Sequence, residues 1–173
     1  MKKLILLRHA KSGWDDRSVD DHDRPLNKRG KAAAPLIGRW LAERRHLPDT
    51  VLCSSSTRTQ ETVRRMREAL PDLPQPVVER ELYHASPSTM RDRLARLPQD
   101  CGTVMLVGHN PGLASLVRKM SDGREKRRCR RAYERFPTGA AAVLELDLDD
   151  WSEIGFASAR FVDFAAPREL MEA

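Results

Sequence analysis

Arginine and histidine side chains follow apolar runs at three places in the sequence. The run LILL is followed by Arg8 and His9, the run TVLC leads through a polar segment to Arg58, and the run VMLV is followed by Gly108 and His109. Guanidinium forks and an imidazole N–H can hold the oxygens of a phosphoryl group while a second imidazole attacks phosphorus. If these side chains converge, the sequence predicts a site that binds phosphate and transfers it to a histidine.

The elements that must position these residues are predicted from the pattern of apolar residues. Short aliphatic or β-branched runs predict strands at 3–7, 50–53, 103–107, 141–148 and 160–164. Apolar residues at three- and four-residue spacing predict helices at 27–45, 57–70, 88–97 and 111–120. Within the first helix, Gly30, Pro35 and Gly38 predict a kink or a late start.

Strands and helices alternate along the chain, which is typical of an α/β protein. We therefore predict a single domain over residues 1–173, with three α/β/α layers around a central, mostly parallel sheet. In such a sheet, ligands bind outside the carboxyl ends of the strands, where helix N-termini offer free N–H groups to anions. This arrangement predicts that Arg8, His9, Arg58 and His109 meet at one edge of the sheet.

Composition and charge narrow the class of protein. The 173 residues include 31 basic and 25 acidic side chains, a formal net charge of +6, which favours anionic partners such as phosphorylated substrates. Cys53, Cys101 and Cys129 form no CxxC pair, so neither a disulfide framework nor a zinc ribbon is indicated. The apolar run at the N-terminus is too short for a signal peptide or a membrane span. We expect a cytoplasmic protein that does not bind membranes.

The three motifs resemble those of the histidine phosphatase superfamily, which has the phosphoglycerate mutase-like fold. RHA at 8–10, SSSTRTQET at 54–62 and GHNPG at 108–112 occur in the order found in that family. Longer strings resemble its small bacterial branch, the SixA-like phosphohistidine phosphatases, over nearly the whole chain. These strings are LLRHAKSGW, DRPLNKRG, ELYHAS, VGHNPG, FPTGAA and APREL.

The resemblance implies a role for each residue of the site. His9 is implied to be the nucleophile that is phosphorylated during turnover, and Arg8, Arg58 and His109 are implied to bind the phosphate. Water would then attack phospho-His9 and release phosphate. The resemblance implies no metal and no other cofactor, and the sequence has no HxH motif, carboxylate cluster or Cys/His spacing typical of a metal site.

The carboxylic acid that protonates the leaving oxygen in relatives has no clear counterpart in this sequence. The candidate is Glu81, just before Leu82 and Tyr83, and it could equally be a solvated carboxylate. A phosphohistidine leaving group demands less of a general acid than an alkoxide does. The missing acid therefore favours phosphohistidine over an ordinary phosphate ester. The resemblance implies phosphohistidine on a signalling or phosphotransfer protein as the substrate, with a small phosphate monoester as the alternative.

Other reactive side chains receive structural interpretations. A thiolate before an arginine-closed loop is typical of cysteine-dependent phosphatases, but that motif has five residues between Cys and Arg, and four separate Cys53 from Arg58. Cys53 is therefore predicted to be the last buried residue of its strand. His22, His46 and His84 are predicted to be surface or packing residues, although His84 could line the site because it follows ELY.

The basic run at 124–131 is predicted to be a solvated helix or loop face. One alternative is a surface that guides an acidic phosphoprotein towards the site, and another is a basic binding protein without enzymatic activity. Only Tyr133 and Phe136 lie nearby, so base stacking and specific nucleic-acid binding are not indicated.

Overall fold

A six-stranded sheet forms the centre of the computed structural model, which describes residues 1–14 and 16–172. Its strands are β1 (Lys2–Arg8), β2 (Thr50–Ser54), β3 (Val77–Glu79), β4 (Thr103–Gly108), β5 (Ala141–Leu146) and β6 (Ala159–Ala165). They lie in the order β3-β2-β4-β1-β5-β6. The four strands from β3 to β1 are parallel, whereas β5 is antiparallel to both β1 and β6. The predicted mostly parallel sheet is confirmed.

Helices cover both faces of this sheet and complete the three predicted layers. They are α1 (Lys28–Glu43), α2 (Thr57–Ala69), α3 (Pro87–Leu94), α4 (Gly112–Met120), α5 (Arg127–Glu134) and α6 (Pro167–Met171). Buried residues of α1 and α2 form one apolar core, and buried residues of α3, α4 and α5 form the other. Among the described residues, no helix combines the length and the apolar character that a membrane crossing requires.

Strand β1 fixes the position of the Arg-His pair because both of its faces are buried. Leu4 and Leu6 pack into the core on the side of α3 and α4, while Ile5 and Leu7 pack into the core on the side of α1 and α2. A central strand covered by helices on both faces reads as a continuous apolar run rather than as an alternating one. The residues after this run therefore leave the core at the edge of the sheet.

Helix α1 begins directly after Asn27, so the prediction of a late start was wrong. The Asn27 side chain accepts a hydrogen bond from the Gly30 N–H at 2.9 Å, which satisfies a free donor of the first turn. Gly30 also lies so close to the main chain of Lys11 that a Cβ there would be 2.1 Å from the Lys11 carbonyl oxygen. The helix continues through Pro35, although the proline removes one main-chain hydrogen bond. The stabilisation gained by packing the buried face of the helix into the core outweighs this loss.

Strand β3 and helix α6 were not predicted, and for the basic run that forms α5 the sequence left helix or loop open; each of these segments has a weak local signal. The strand β3 has only three residues, lies at the edge of the sheet and leaves Val77 and Val78 exposed. Helix α5 arises from the basic run and buries only Cys129 and Ala132. Helix α6 is only five residues long. Such short or largely polar segments give little hydrophobic periodicity, so their structure depends on the rest of the chain.

Candidate active site

The structure brings together His9, Arg58 and His109 at the carboxyl ends of β1, β2 and β4. The Arg58 Nε donates to His9 Nε2 at 3.3 Å, and the Arg58 Nη2 donates to His109 Nδ1 at 3.2 Å. The two imidazole ring centres are 5.4 Å apart. Arg58 is only 2% exposed, so its guanidinium forms the buried centre of this cluster.

Arg8 lies beside this cluster and adds a second guanidinium. Its Nη1 donates to the carbonyl oxygen of Phe136 at 3.1 Å, while its Nε is buried without a hydrogen-bond acceptor among the described residues. Burial and the nearby charge of Arg58 lower the pKa of Arg8. Two neighbouring guanidinium groups with an unused donor favour the binding of an anion between them.

Short connections from strands and helices hold these side chains in place. His9 directly follows β1, and its N–H donates to the Gly108 carbonyl oxygen at the end of β4 at 3.1 Å. Arg58 lies in the first turn of α2, where the Thr62 hydroxyl donates to the Arg58 carbonyl oxygen at 2.7 Å. The same hydroxyl accepts from the Ala10 N–H at 2.9 Å. Thr62 therefore couples the positions of the two site segments.

The environment of His9 defines its tautomer and its charge. Its Nδ1 is 2.7 Å from the carbonyl oxygen of Ala10, which can only accept, so Nδ1 carries the proton and Nε2 keeps its lone pair. Burial, together with the charges of Arg58 and Arg8, lowers the pKa of His9 to about 3, although the hydrogen bond to Ala10 opposes this shift. His9 is therefore neutral at physiological pH, with the lone pair of Nε2 directed into the site.

His109 is also held neutral, with the opposite tautomer. Its Nδ1 accepts from Arg58, so its Nε2 carries the proton and donates to the Ser54 hydroxyl at 2.8 Å. Burial lowers the pKa of His109 to about 2, and the charge of Arg58 contributes to this shift. In this state both imidazoles lie next to Arg58 without adding positive charge.

Asp21 is a central residue of the site that sequence analysis missed. Its Oδ2 accepts from Arg58 Nη2 at 3.1 Å, from His84 Nε2 at 3.1 Å and from the Tyr83 hydroxyl, and its carbonyl oxygen accepts from Arg58 Nη1 at 2.6 Å. Burial would raise the pKa of Asp21, but the hydrogen bonds from Tyr83 and His84 and the charge of Arg58 hold it well below its usual range. Asp21 is therefore ionised. The loop sequence VDDHDRP offers three aspartates, and no local pattern distinguishes this one.

The segment after β3 contributes to the site through residues other than Glu81. The rings of Tyr83 and His84 lie 5.4 and 4.8 Å from the His109 ring, measured between centres. Tyr83 also packs against His22, whose Nε2 is 2.8 Å from the Ser55 hydroxyl. His84 thus lies at the site, which the sequence analysis gave as the alternative to a surface or packing role.

The structure does not bring Glu81 to the other predicted residues. Its carboxylate forms ion pairs with Arg96 at 2.5 Å and Arg93 at 3.8 Å, away from the histidines. The reason is the short helical turn at 80–82, in which Leu82 is the buried residue and Glu81 faces these two arginines. The choice of Glu81 rested on its chemical type, whereas its orientation depends on which neighbour enters the core.

The remaining reactive residues have structural surroundings. Cys53 lies buried in β2, although Ser54 and not Cys53 is the last buried residue of this strand. Burial raises the pKa of the Cys53 thiol to about 12, which does not support thiolate chemistry. His46 lies 3.1 Å from Asp163 and packs beside Trp40, consistent with its predicted packing role. Within the described ranges, no three His, Cys, Asp or Glu side chains are grouped so as to hold a metal ion.

The neutral state of His109 makes a prediction about stability and pH. The folded protein depresses the pKa of this histidine below its unfolded value, so the unfolded chain binds more protons as pH falls and stability decreases. For one such histidine the loss between pH 7 and pH 5 is about 2 kcal/mol. We expect His109→Gln, which can keep both hydrogen bonds, to lose less stability than the wild type over this range. Urea unfolding at a series of pH values measures the difference, and identical pH dependence in the two proteins would contradict a buried neutral His109.

Comparisons with known proteins agree with the family resemblance of the sequence motifs. The profile of the histidine phosphatase superfamily (branch 1) matches residues 4–86. An uncharacterized protein of Mycobacterium tuberculosis is 35% identical over 164 residues, which cover 94% of this chain and 100% of the relative. The structure is similar to that of the candidate phosphohistidine phosphatase SixA of Agrobacterium tumefaciens, with a TM-score of 0.78 and 31% identity over 96% of this chain and 98% of that one.

A second solved structure supports the fold. The protein histidine phosphatase SixA in complex with tungstate has a TM-score of 0.79 and 23% identity, covering 97% of this chain and 99% of that one. The six-stranded, mostly parallel sheet with helices on both faces is the phosphoglycerate mutase-like fold expected from the resemblance. The chain belongs to the histidine phosphatase superfamily and, within it, to the SixA-like proteins.

Proposed function

We propose that this protein hydrolyses the P–N bond of phosphohistidine in a protein substrate, through a covalent phospho-His9 intermediate. Membership of the superfamily supports phosphatase activity on a phosphorylated substrate. The observation that carries the mechanism is the neutral His9, whose Nε2 lone pair faces the guanidinium of Arg58 at 3.3 Å. A nucleophile must present such a lone pair next to groups that hold the electrophile.

In the proposed first step, Arg58 and Arg8 hold the oxygens of the phosphoryl group, and His109, which accepts from Arg58 through Nδ1, keeps this guanidinium in position. The buried Arg8 Nε has no acceptor among the described residues, and an oxygen of the phosphoryl group would satisfy it. The lone pair of His9 Nε2 forms a bond to phosphorus while the P–N bond of the substrate breaks. The electron pair of the broken bond stays on the leaving imidazole, which departs neutral when its other nitrogen carries a proton.

In the proposed second step, water attacks the phosphorus of phospho-His9 and the P–Nε2 bond breaks. The released phosphate keeps both protons of the water, and His9 returns to its neutral form with the proton on Nδ1. The Ala10 carbonyl oxygen, 2.7 Å from Nδ1, holds this proton in place throughout the cycle. The first step thus moves the phosphoryl group from the substrate nitrogen to His9 Nε2, and the second moves it from Nε2 to the oxygen of water. Neither step requires a side-chain acid.

The carboxylates near the site favour a P–N substrate over a phosphate ester. Departure of an alkoxide requires a proton donor, and a carboxylic acid can supply it only while it is protonated. Asp21 is ionised and held by four side chains, those of Arg24, Arg58, Tyr83 and His84. Glu81 is paired with Arg93 and Arg96. Since imidazole is a better leaving group than an alkoxide, phosphohistidine is the substrate that this arrangement supports best.

Phosphate release from matched phosphohistidine and phosphoserine peptides tests the proposal directly. In the presence of EDTA, the wild type should release phosphate from the phosphohistidine peptide and leave the phosphoserine peptide intact. His9→Ala should lower kcat by at least about 1,000-fold, because the nucleophile is lost. His46→Gln, a histidine outside the site, is the matched control and should retain activity.

Each other outcome of this assay refutes a defined part of the proposal. Equal release from both peptides would point to a general phosphatase and reject the P–N preference. Unchanged activity of a folded His9→Ala variant would reject the mechanism. No release from either peptide by the wild type would reject the proposed function.

Asp21 generates a second prediction, because its carboxylate occupies donors of Arg58 that a phosphate would use. We expect Asp21→Asn to bind inorganic phosphate about 10-fold more tightly, since one negative charge next to the phosphate is removed. Competitive inhibition of the phosphatase reaction by phosphate measures this change. Asp23→Asn, in the same helical turn but paired only with His22, is the control. Unchanged phosphate inhibition in Asp21→Asn would contradict the competition between Asp21 and the substrate.

A further inference from the structure

A cleft of about 740 Å³ opens beside the candidate active site. Lys11 and Thr138 line it, and Lys11 follows His9 and Ala10 in the chain. The Gly139 N–H, next to Thr138, donates to the carbonyl oxygen of His9 at 2.8 Å. The volume of the cleft is within the roughly 300–1,000 Å³ that is common for ligand sites. The cleft therefore adjoins the residues that would hold the phosphoryl group.

Sheet topology places the cleft at the same edge as the active site. Leu7 of β1 is opposite Ala141 of β5, and Ala141 is opposite Ala165 of β6. Because β5 runs antiparallel to both neighbours, the end of β1, the start of β5 and the end of β6 lie at one edge. The cleft follows this edge from β1 towards β6, where Ala166 and Pro167 line it.

The charges of the cleft are mostly basic and incompletely paired. Five basic and two acidic side chains line it. Arg131 pairs with Glu169, and Arg168 pairs with Glu172. The three other basic residues are exposed and have no ion-pair partner within residues 1–14 and 16–172; they are Lys11, Arg29 and Arg135. An acidic ligand would supply the missing counter-charges.

The basic run identified in the sequence is not the source of these unpaired charges. In α5, Arg128 is 3.1 Å from Asp163, and Arg130 is 3.7 Å from Glu125. Arg131 is the residue of this run that lines the cleft, and it is already paired with Glu169. The unpaired residues come from three separate segments of the chain, which no linear charge pattern could reveal.

We infer that this cleft binds an acidic polypeptide segment next to the phosphohistidine of the substrate protein. This inference rests on the proposed function. A phosphohistidine in a protein substrate is part of a polypeptide, and the residues on either side of it must extend out of the phosphate site across the surface of the enzyme. The floor of the cleft is apolar, with buried Phe164, Ala166 and Pro167, and its rim carries the unpaired cations. Phe164 is only 5% exposed and cannot stack on a nucleobase, which favours a peptide over a nucleic acid.

Direct binding of unphosphorylated peptides tests the cleft independently of catalysis. Two fluorescein-labelled peptides with a central histidine are compared by anisotropy, one with Asp and Glu flanks and one with Asn and Gln flanks. The wild type should bind the acidic peptide about 10-fold more tightly, and rising NaCl concentration should weaken this binding. The double variant Arg29→Glu/Arg135→Glu should abolish the preference.

Arg39→Glu serves as the matched control for this experiment. Arg39 is an exposed arginine on the same helix as Arg29, about 15 Å further along its axis, and does not line the cleft. This variant should keep the preference for the acidic peptide. Arg29→Gln/Arg135→Gln, which removes charge without reversing it, should give an intermediate result.

The outcomes separate the cleft from the proposed function. Equal affinity for the two peptides, or an unchanged preference in the double variant, would overturn the inference. Tighter binding of a single-stranded oligonucleotide than of the acidic peptide, lost in the double variant, would overturn it in favour of nucleic acid. A peptide preference that the double variant loses supports the cleft, even if phosphohistidine is not hydrolysed and the proposed function fails.

Discussion

The buried guanidinium of Arg58 is the constraint on which the candidate active site depends. Its three nitrogens contact His9, His109 and Asp21, and the side chain is only 2% exposed. A buried charge is costly unless it is paired and fully hydrogen-bonded. The loop between β1 and α1 meets this requirement by bringing the carboxylate and the carbonyl oxygen of Asp21 to the guanidinium. The fold of this loop and the geometry of the site are therefore linked.

The same guanidinium determines the protonation states that the proposed chemistry needs. Together with burial, its charge keeps both imidazoles neutral and keeps Asp21 ionised. A neutral imidazole can attack phosphorus, whereas an ionised carboxylate cannot donate a proton. In the proposed mechanism His9 is the nucleophile and the guanidinium groups bind the phosphate, whereas the ionised Asp21 competes with the phosphate and does not act as an acid. This combination suits a substrate whose leaving group is an imidazole.

Residues at strand ends could be predicted from the sequence, because the signal is local. The apolar runs of β1, β2 and β4 identify buried strands, and parallel strands in one sheet bring their carboxyl ends together. The placement of His9, Arg58 and His109 follows from these two facts. Asp21 could not be predicted in this way, since it meets Tyr83 across 62 positions of the chain. Glu81 illustrates the same limit, because the packing of its neighbour Leu82 determines which way it faces.

Trapping the covalent intermediate tests the proposed mechanism most directly. The wild type is mixed with a phosphohistidine peptide under single-turnover conditions and quenched in base, which preserves phosphohistidine, and the site of phosphorylation is mapped by mass spectrometry and NMR. The geometry at Ala10 predicts phosphate on His9, bonded to Nε2, because Nδ1 carries a proton held by the carbonyl oxygen. Phosphate on His109 or Cys53, or on Nδ1 of His9, would contradict the mechanism.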